Sequence, residues 1–156
     1  MTMLDDRRLP GASTDTLSTL ATAYQALQRQ NVRVATMVAD ELQIGPTDLR
    51  AIMYTSWNDH LTPKQLAAFL QMTTGATTSL IDRITAAGLA AREPHPTDRR
   101  SQIISLTPAG RRGVHLVLDT YRSAFAEALQ PHDVPGAAAV FNSIATSLAV
   151  VELARS

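Results

Sequence analysis

A run of small, hydroxyl-bearing residues from Thr73 to Ser79 stands out in this 156-residue chain, because its side chains suit contacts with a polyanion. Hydroxyls bond phosphates or base edges, methyl groups contact thymine, and a helix N-terminus favours phosphate. Such a run is unusual in a helix, because threonine has only modest helix propensity. The alternative to a DNA contact is an ordinary exposed helix cap. Because a basic loop follows the run, we expect DNA contacts from Thr73, Thr74, Gly75, Ala76, Thr77 and Thr78.

Charge is distributed unevenly along the chain, although the formal net charge is zero. Residues 62–113 contain seven bases and three acids, whereas the rest of the chain contains seven bases and eleven acids. A local excess of bases favours the approach of nucleic acid. Within this segment Arg83 is a candidate for a base or phosphate contact, and Asp82 is expected to orient a neighbouring arginine.

The spacing of apolar residues predicts the helices that position this run. Apolar residues recur at three- and four-residue steps from Leu17 to Leu27 and again from Val34 to Leu42, and Gly45-Pro46 starts a second helix. Thr62-Pro63-Lys64-Gln65 has the pattern of a capping box at the start of a third. That helix breaks at residues 71–73, Thr73 or Thr74 caps the next one, and Gly88 ends it. Two short helices so joined are typical of a helix-turn-helix.

The segment after Gly88 predicts a β-hairpin. Residues 89–93 and 101–106 flank a basic, turn-rich loop, and the second flank has the composition of a strand. Thr107-Pro108 begins a further helix, which is interrupted at residues 131–133. The last helix carries an apolar stripe, which consists of Val140, Phe141, Ile144, Leu148 and Val151.

The segment from Leu61 to Arg112 resembles the multiple antibiotic resistance regulator (MarR) family, because it contains in order LTPKQLA, TTGATTSLIDRI, GL, Asp-Arg-Arg and LTPAG. The resemblance implies a homodimer with intertwined helical ends, two winged modules and, often, a small-molecule pocket between the dimer region and the DNA-binding module. It also implies that a wing arginine reaches the minor groove while Asp98 steadies the loop by an ion pair. Narrow A·T-rich grooves attract arginine. We expect Arg99 to insert, with Arg100 as the near-equal alternative.

Tyr24, Trp57 and His60 are candidates for lining such a pocket. Two of them lie just before the DNA-binding unit and one lies on the first helix. The alternative is that they are structural, since an amphipathic helix normally buries a tyrosine and a lone histidine seldom binds a ligand. Small aromatic acids and phenols are the effectors that the resemblance suggests, and a chain without cysteine cannot sense oxidants through a thiol.

The sequence also argues against several other classes of site. Without cysteine there are no disulfides or thiolate metal sites, and the four histidines lack metal-ligand spacing. Neither a phosphate-binding glycine loop nor a nucleophile elbow is present, so we expect no cofactor and no catalysis. No run reaches the roughly 18 apolar residues of a membrane helix, and the first residues lack the apolar core of a signal peptide. We therefore expect a cytoplasmic protein.

Together these patterns predict a mainly α fold with a small β-hairpin wing. Residues 1–14 are expected to form a mobile arm, 15–44 and 114–156 a helical dimerisation region, and 45–113 a winged helix-turn-helix. The function predicted is that of a transcriptional regulator that binds an inverted repeat in double-stranded DNA as a homodimer. A repressor released by a small effector is favoured over an activator. The alternative is a protein-interaction scaffold in which the wing arginines are incidental, and duplex binding separates the two.

Overall fold

The computed structural model describes residues 14–98 and 101–153, with the backbone alone described at residues 151–153. This part of the chain contains six helices and one antiparallel hairpin, which are, in order, α1 (Thr14–Glu41), α2 (Pro46–Ser56), α3 (Pro63–Leu70), α4 (Thr74–Ala86), β1 (Ala90–Pro94), β2 (Gln102–Leu106), α5 (Pro108–Ala128) and α6 (Val134–Leu153). The predicted fold class is confirmed. The predicted arm, apart from Thr14, lies outside the described residues.

Helix α3 begins at the predicted capping box. The Thr62 hydroxyl accepts a hydrogen bond from the Gln65 amide at 3.3 Å, and the Gln65 side-chain oxygen accepts one from the Thr62 amide at 2.8 Å. Two amide groups that the helix itself leaves unpaired are therefore satisfied. At the end of α3, Gln71 takes the left-handed conformation and turns the chain toward α4.

Helix α4 has Thr73 as its N-cap, since the Thr73 hydroxyl accepts from the Ala76 amide at 3.3 Å. This resolves the choice between Thr73 and Thr74. Gly88 follows the helix with a φ of 70°, a conformation that glycine adopts without strain, as predicted. The break between α3 and α4 is thus a short, capped turn, and the two helices form a helix-turn-helix.

The chain divides into two compact units, with the boundary between Val117 and Leu118 inside α5. In the first unit the buried residues of α2, α3, α4, the hairpin, the start of α5 and the connections between them share one core, which includes Ile52, Leu61, Leu66, Leu80, Ile81, Ile84, Leu89, Ile104 and Val114. Val38 and Ala39 near the end of α1 are buried in the same unit. The proposed split into dimerisation and winged-helix regions concerns function and stays a prediction.

The hairpin is attached to the helix-turn-helix by backbone hydrogen bonds. Its strands pair from Ala90 with Leu106 to Pro94 with Gln102, and the Ile104 amide donates to the Leu61 carbonyl at 2.8 Å. Residue 61 lies just before α3, so the hairpin is held beside the start of that helix. This attachment makes the hairpin a wing of the helix-turn-helix.

The second unit consists of the end of α5 and α6. The Phe125 ring lies 6.3 Å from the rings of both Tyr121 and Phe141, measured between ring centroids. Most of the described side chains of α6 are nevertheless exposed, and the exposed apolar ones include Val140, Phe141, Leu148 and Val150. An apolar helix with so little buried surface lacks the packing that normally stabilises it.

Candidate nucleic-acid interface

The start of α4 presents an open surface of small residues. The cap Thr73 and the first-turn residues Thr74, Gly75 and Ala76 are exposed, and a side chain at Gly75 would meet no atom within 4 Å. Thr78 is also exposed, and its hydroxyl donates to the Thr74 carbonyl at 3.0 Å. An oxygen that donates inward still has lone pairs that face outward, so Thr78 can accept from a base amino group.

Thr77 is the exception in this run and requires a correction. Its exposed fraction is 1%, and its hydroxyl donates to the Thr73 carbonyl at 3.0 Å. Successive residues on a helix point about 100° apart, so Thr77 faces the core while Thr78 faces outward. The expected DNA contact from the Thr77 side chain is therefore wrong, because that side chain is buried in the core.

Arg83, in the last turn of α4, is held by a carboxylate that sequence reasoning missed. Its Nε donates to Asp48 Oδ2 at 3.2 Å and its Nη2 to Asp48 Oδ1 at 2.6 Å. These hydrogen bonds, together with the charge of Asp48, raise the pKa of the Arg83 guanidinium. The only sequence signal for Asp48 is its place three residues after Gly45, whose amide donates to Asp48 Oδ2 at 3.4 Å.

Asp82 also pairs with an arginine, as expected. Its Oδ1 lies 2.7 Å from Nη2 of Arg92 on β1. Asp48 therefore holds Arg83, and Asp82 holds Arg92. One ion pair joins α4 to α2 and the other joins α4 to the wing.

The wing tip is organised by side chains that bond its backbone. Nδ1 of His95 accepts from the amides of Thr97 and Asp98 at 3.3 Å, and Ser101 Oγ donates to Asp98 Oδ2 at 2.6 Å. The predicted insertion of Arg99 or Arg100, and the ion pair with Asp98, lie outside the described residues. The Ser101 amide also donates to the Asp98 carbonyl at 3.0 Å, so both the backbone and the side chain of Asp98 bond Ser101.

A cavity of about 480 Å³ lies between the end of α2, the hairpin and the start of α5. Ile103, Leu106 and Val114 form part of its apolar wall, and its polar lining includes His60, Glu93, Arg111 and His115. Of the three predicted effector contacts, only His60 lines this cavity. Tyr24 is half-exposed on α1, and Trp57 caps the end of α2 with an exposed fraction of 66%.

Metal sites and membrane spans are not found in the described residues. Across residues 14–98 and 101–153, no three His, Cys, Asp or Glu side chains come together in a way that could hold a metal ion. None of the helices in the described part of the chain is long and apolar enough to cross a membrane.

The model of the MarR family matches residues 42–101, which begin just after α1 and end just before β2. A relative described as an uncharacterized HTH-type transcriptional regulator, YcgE of Bacillus subtilis, is 30% identical over 96 residues. The matched part is 60% of this chain and 62% of that protein, so the match spans about three fifths of the relative's length.

Solved structures share the fold over most of the chain. A MarR family protein from Bacillus stearothermophilus superposes with a TM-score of 0.72 at 17% identity, covering 89% of this chain and 99% of that one. A MepR mutant from S. aureus bound to an oligodeoxyribonucleotide has a TM-score of 0.56 at 19% identity, covering 83% and 97%. MepR bound to ethidium bromide gives 0.57 at 19% identity, covering 82% and 95%. Residues 42–101 of this chain are therefore similar to the MarR family, and the chain has the winged helix fold of the MarR family protein from Bacillus stearothermophilus.

Proposed function

We propose that the chain is a transcriptional regulator that binds specific sequences in double-stranded DNA. The observation that carries the proposal is the exposed, capped start of α4 beside the wing, where small hydroxyl-bearing residues surround a helix N-terminus. The proposed contacts are Thr73, Thr74, Gly75, Ala76, Thr78, Arg83, Asp98, Arg99 and Arg100. The oligonucleotide in the MepR structure supports this role by analogy.

The proposed regulator acts as a homodimer through its terminal helices. Exposed apolar side chains run along α6 and along the first half of α1, where they include Leu17, Leu20, Tyr24 and Leu27. A twofold dimer presents two copies of α4, so its operator is an inverted repeat with half-site centres about 34 Å apart, one turn of DNA. Each half-site is then read by one α4 and one wing.

The test begins with selection of bound fragments from the source genome and continues with salt titrations on a selected and a scrambled duplex. Arg99→Ala should weaken binding to the selected duplex by about 1–3 kcal/mol per half-site and flatten the preference at flanking positions. The matched control is Arg112→Ala, which alters an exposed residue of α5. Because Arg112 is proposed to contact phosphate, its removal should weaken binding to both duplexes alike. It should also reduce the slope of log affinity against log salt concentration by about one unit.

Two outcomes count against this assignment. Equal losses on both duplexes for Arg99→Ala would reduce the wing to an electrostatic clamp. No duplex binding by the parent protein at low salt and without effector would overturn the DNA-binding proposal and favour the interaction scaffold.

The finer proposal is that DNA binding is released by a small aromatic effector, which makes the protein a repressor. The cavity beside the wing combines an apolar wall with His60, Arg111 and His115, a lining that suits a flat molecule with one polar edge. Tyr24 and Trp57 stay candidates for contacts made in the dimer. Release requires that the effector bind the DNA-incompetent arrangement more tightly than the competent one.

A panel of aromatic carboxylates and phenols tests this finer proposal. An effector should raise the melting temperature and lower the DNA affinity together. His115→Ala should diminish both responses without changing effector-free DNA affinity, whereas His132→Ala, an exposed histidine of the second unit, should change neither. A panel without any compound that produces both responses would make a ligand-free regulator the better description.

A further inference from the structure

The ion pair between Asp48 and Arg83 joins the first turn of α2 to the last turn of α4. The two residues are 35 positions apart in the sequence, and the arginine binds both carboxylate oxygens through its Nε and Nη2 edge. A fork of this kind fixes the direction of the guanidinium as well as its distance.

The burial of the two partners is unequal, and this identifies Asp48 as the fixed member of the pair. The Asp48 side chain is 7% exposed, whereas that of Arg83 is 56% exposed. A carboxylate so deeply buried needs compensation. The Gly45 amide and the N-terminus of α2 supply part of it, and Arg83 supplies the rest.

The ion pair lies at the opposite end of α4 from the first turn, which is proposed to face DNA. Arg83 lies nine residues after Thr74, which is about 13 Å along the helix axis. A tilt of about 10° at the Arg83 end would therefore move the Thr74 end by about 2 Å, while productive contacts tolerate about 0.5 Å. A fixed point at the end of α4 consequently controls where its first turn lies.

We propose that Asp48 is a positioning residue for DNA recognition, which holds Arg83 and thereby sets the direction of α4 against α2. This inference rests on the proposed function. Asp48 also neutralises the charge of Arg83. Arg83 therefore acts through the fixed direction of its guanidinium and through the N–H groups that do not bond Asp48. It does not act as a free phosphate-binding cation.

The test compares Asp48→Asn, Arg83→Gln and the double variant on the selected and scrambled duplexes. The Asp48→Asn substitution keeps an oxygen for the Gly45 amide but removes the charge that holds Arg83. The ratio of specific to scrambled affinity should fall about tenfold for Asp48→Asn. The salt slope on the scrambled duplex should steepen by up to about one unit, because Arg83 is freed to contact phosphate.

Arg83→Gln should lower the affinity ratio by a similar factor and leave the salt slope unchanged. The double variant should lose no more than either single variant, because each substitution breaks the same interaction. The charge-matched control is Asp119→Asn on α5, which disrupts an exposed pair with Arg122 and should change neither quantity by more than about twofold.

Circular dichroism and thermal melts establish that each variant is folded at the assay temperature. If Asp48→Asn does not fold, Arg83→Lys replaces it, since lysine keeps the positive charge but cannot bond both carboxylate oxygens as arginine does. Arg83→Lys should lower the ratio of specific to scrambled affinity and leave the salt slope unchanged. The inference is overturned if the ratio is unchanged, if the double variant loses the product of the single losses, or if Arg83→Gln flattens the salt slope by about one unit. Absence of duplex binding by the parent protein overturns the proposed function itself, so the two failures are distinct.

Discussion

Thr77 and Thr78 show how much of a site is decided by one step along a helix. Both are threonines, both lie in the same turn of α4, and each donates its hydroxyl to the carbonyl four residues earlier. Thr77 nevertheless belongs to the core, whereas Thr78 faces outward. The pair therefore offers an internally controlled comparison, because valine replaces a hydroxyl by a methyl group at nearly constant volume.

We predict that Thr77→Val and Thr78→Val separate stability from DNA binding. Thr78→Val should weaken binding to the selected duplex by about 1 kcal/mol and leave stability unchanged. Thr77→Val should change the free energy of unfolding by no more than about 1 kcal/mol, because the Thr73 carbonyl still accepts a hydrogen bond from the residue 77 amide, at 2.9 Å in the parent protein. It should leave DNA affinity unchanged. Denaturant titrations and binding isotherms of both variants measure this. A loss of affinity confined to Thr77→Val would contradict the assignment of the exposed face.

A second prediction concerns Tyr121 in the second unit. Burial raises the pKa of its phenol above the ordinary value of about 10, because the anion is disfavoured there. The folded protein thus holds this proton more tightly than the unfolded chain, so the contribution to stability is complete below pH 10 and is lost as the pH rises through the folded value. Unfolding free energy should fall above pH 10, and Tyr121→Phe should reduce that slope. An identical slope in the variant would show that other groups cause the decline.

At the scale of elements, the start of α5 packs closely against the backbone that follows α4. The Thr107 amide and hydroxyl donate to the carbonyls of Leu89 and Gly88, at 3.1 and 2.7 Å. A Cβ built on Gly110 would lie 2.0 Å from the Leu89 carbonyl oxygen. This approach requires glycine for lack of space, whereas Gly75 in α4 has open space around it.

We predict opposite effects of alanine at these two glycines. Gly110→Ala should destabilise the protein by about 1–3 kcal/mol or more, because the new methyl group overlaps backbone that cannot easily move. Gly75→Ala should raise stability by up to about 1 kcal/mol, since alanine is the better helix former, and should weaken DNA binding by occupying the surface near the duplex. Thermal melts and duplex titrations check both. Equal stability changes would contradict the packing described for α5.

At the scale of the whole molecule, the terminal helices leave too much apolar surface uncovered for an isolated chain. The α6 helix has no fully buried residue among those described, and its neighbour Phe125 is itself half-exposed. Removal of such a surface from water is the usual driving force for association, at roughly 25 cal/mol per Å². The proposed homodimer supplies this burial by pairing identical surfaces.

We predict that truncation after Asp133 abolishes the dimer. The shortened chain should be monomeric by light scattering, because it lacks the apolar stripe of α6. Full-length Phe141→Glu should weaken the dimer without removing the helix, which separates loss of the interface from loss of the segment. Substitution of Asn142, an exposed polar neighbour, by Glu serves as the matched control. A truncated chain that stays dimeric would place the interface elsewhere.

The sequence by itself determined the features that depend on near neighbours. The Thr62 capping box, the Thr73 cap and the glycine turn at Gly88 each depend on bonds or conformations within a few residues, so their residue types suffice to predict them. The spacing of apolar residues predicted the helices, since a helix repeats every 3.6 residues. The strand-like flank and the basic, turn-rich loop after Gly88 predicted the hairpin, and the resemblance of residues 61–112 to a family agreed with this order of elements.

Only the tertiary structure decided which side chains meet across the fold. Asp48 and Arg83 come together because α2 packs on α4, and nothing within either helix predicts that contact. The burial of Thr77 depends in the same way on where α4 turns its core face, and the cavity that contains His60 but neither Tyr24 nor Trp57 depends on how α2, the wing and α5 meet. Local sequence specifies local hydrogen bonds, whereas the rotation of one helix against another is set by the packing of the whole core.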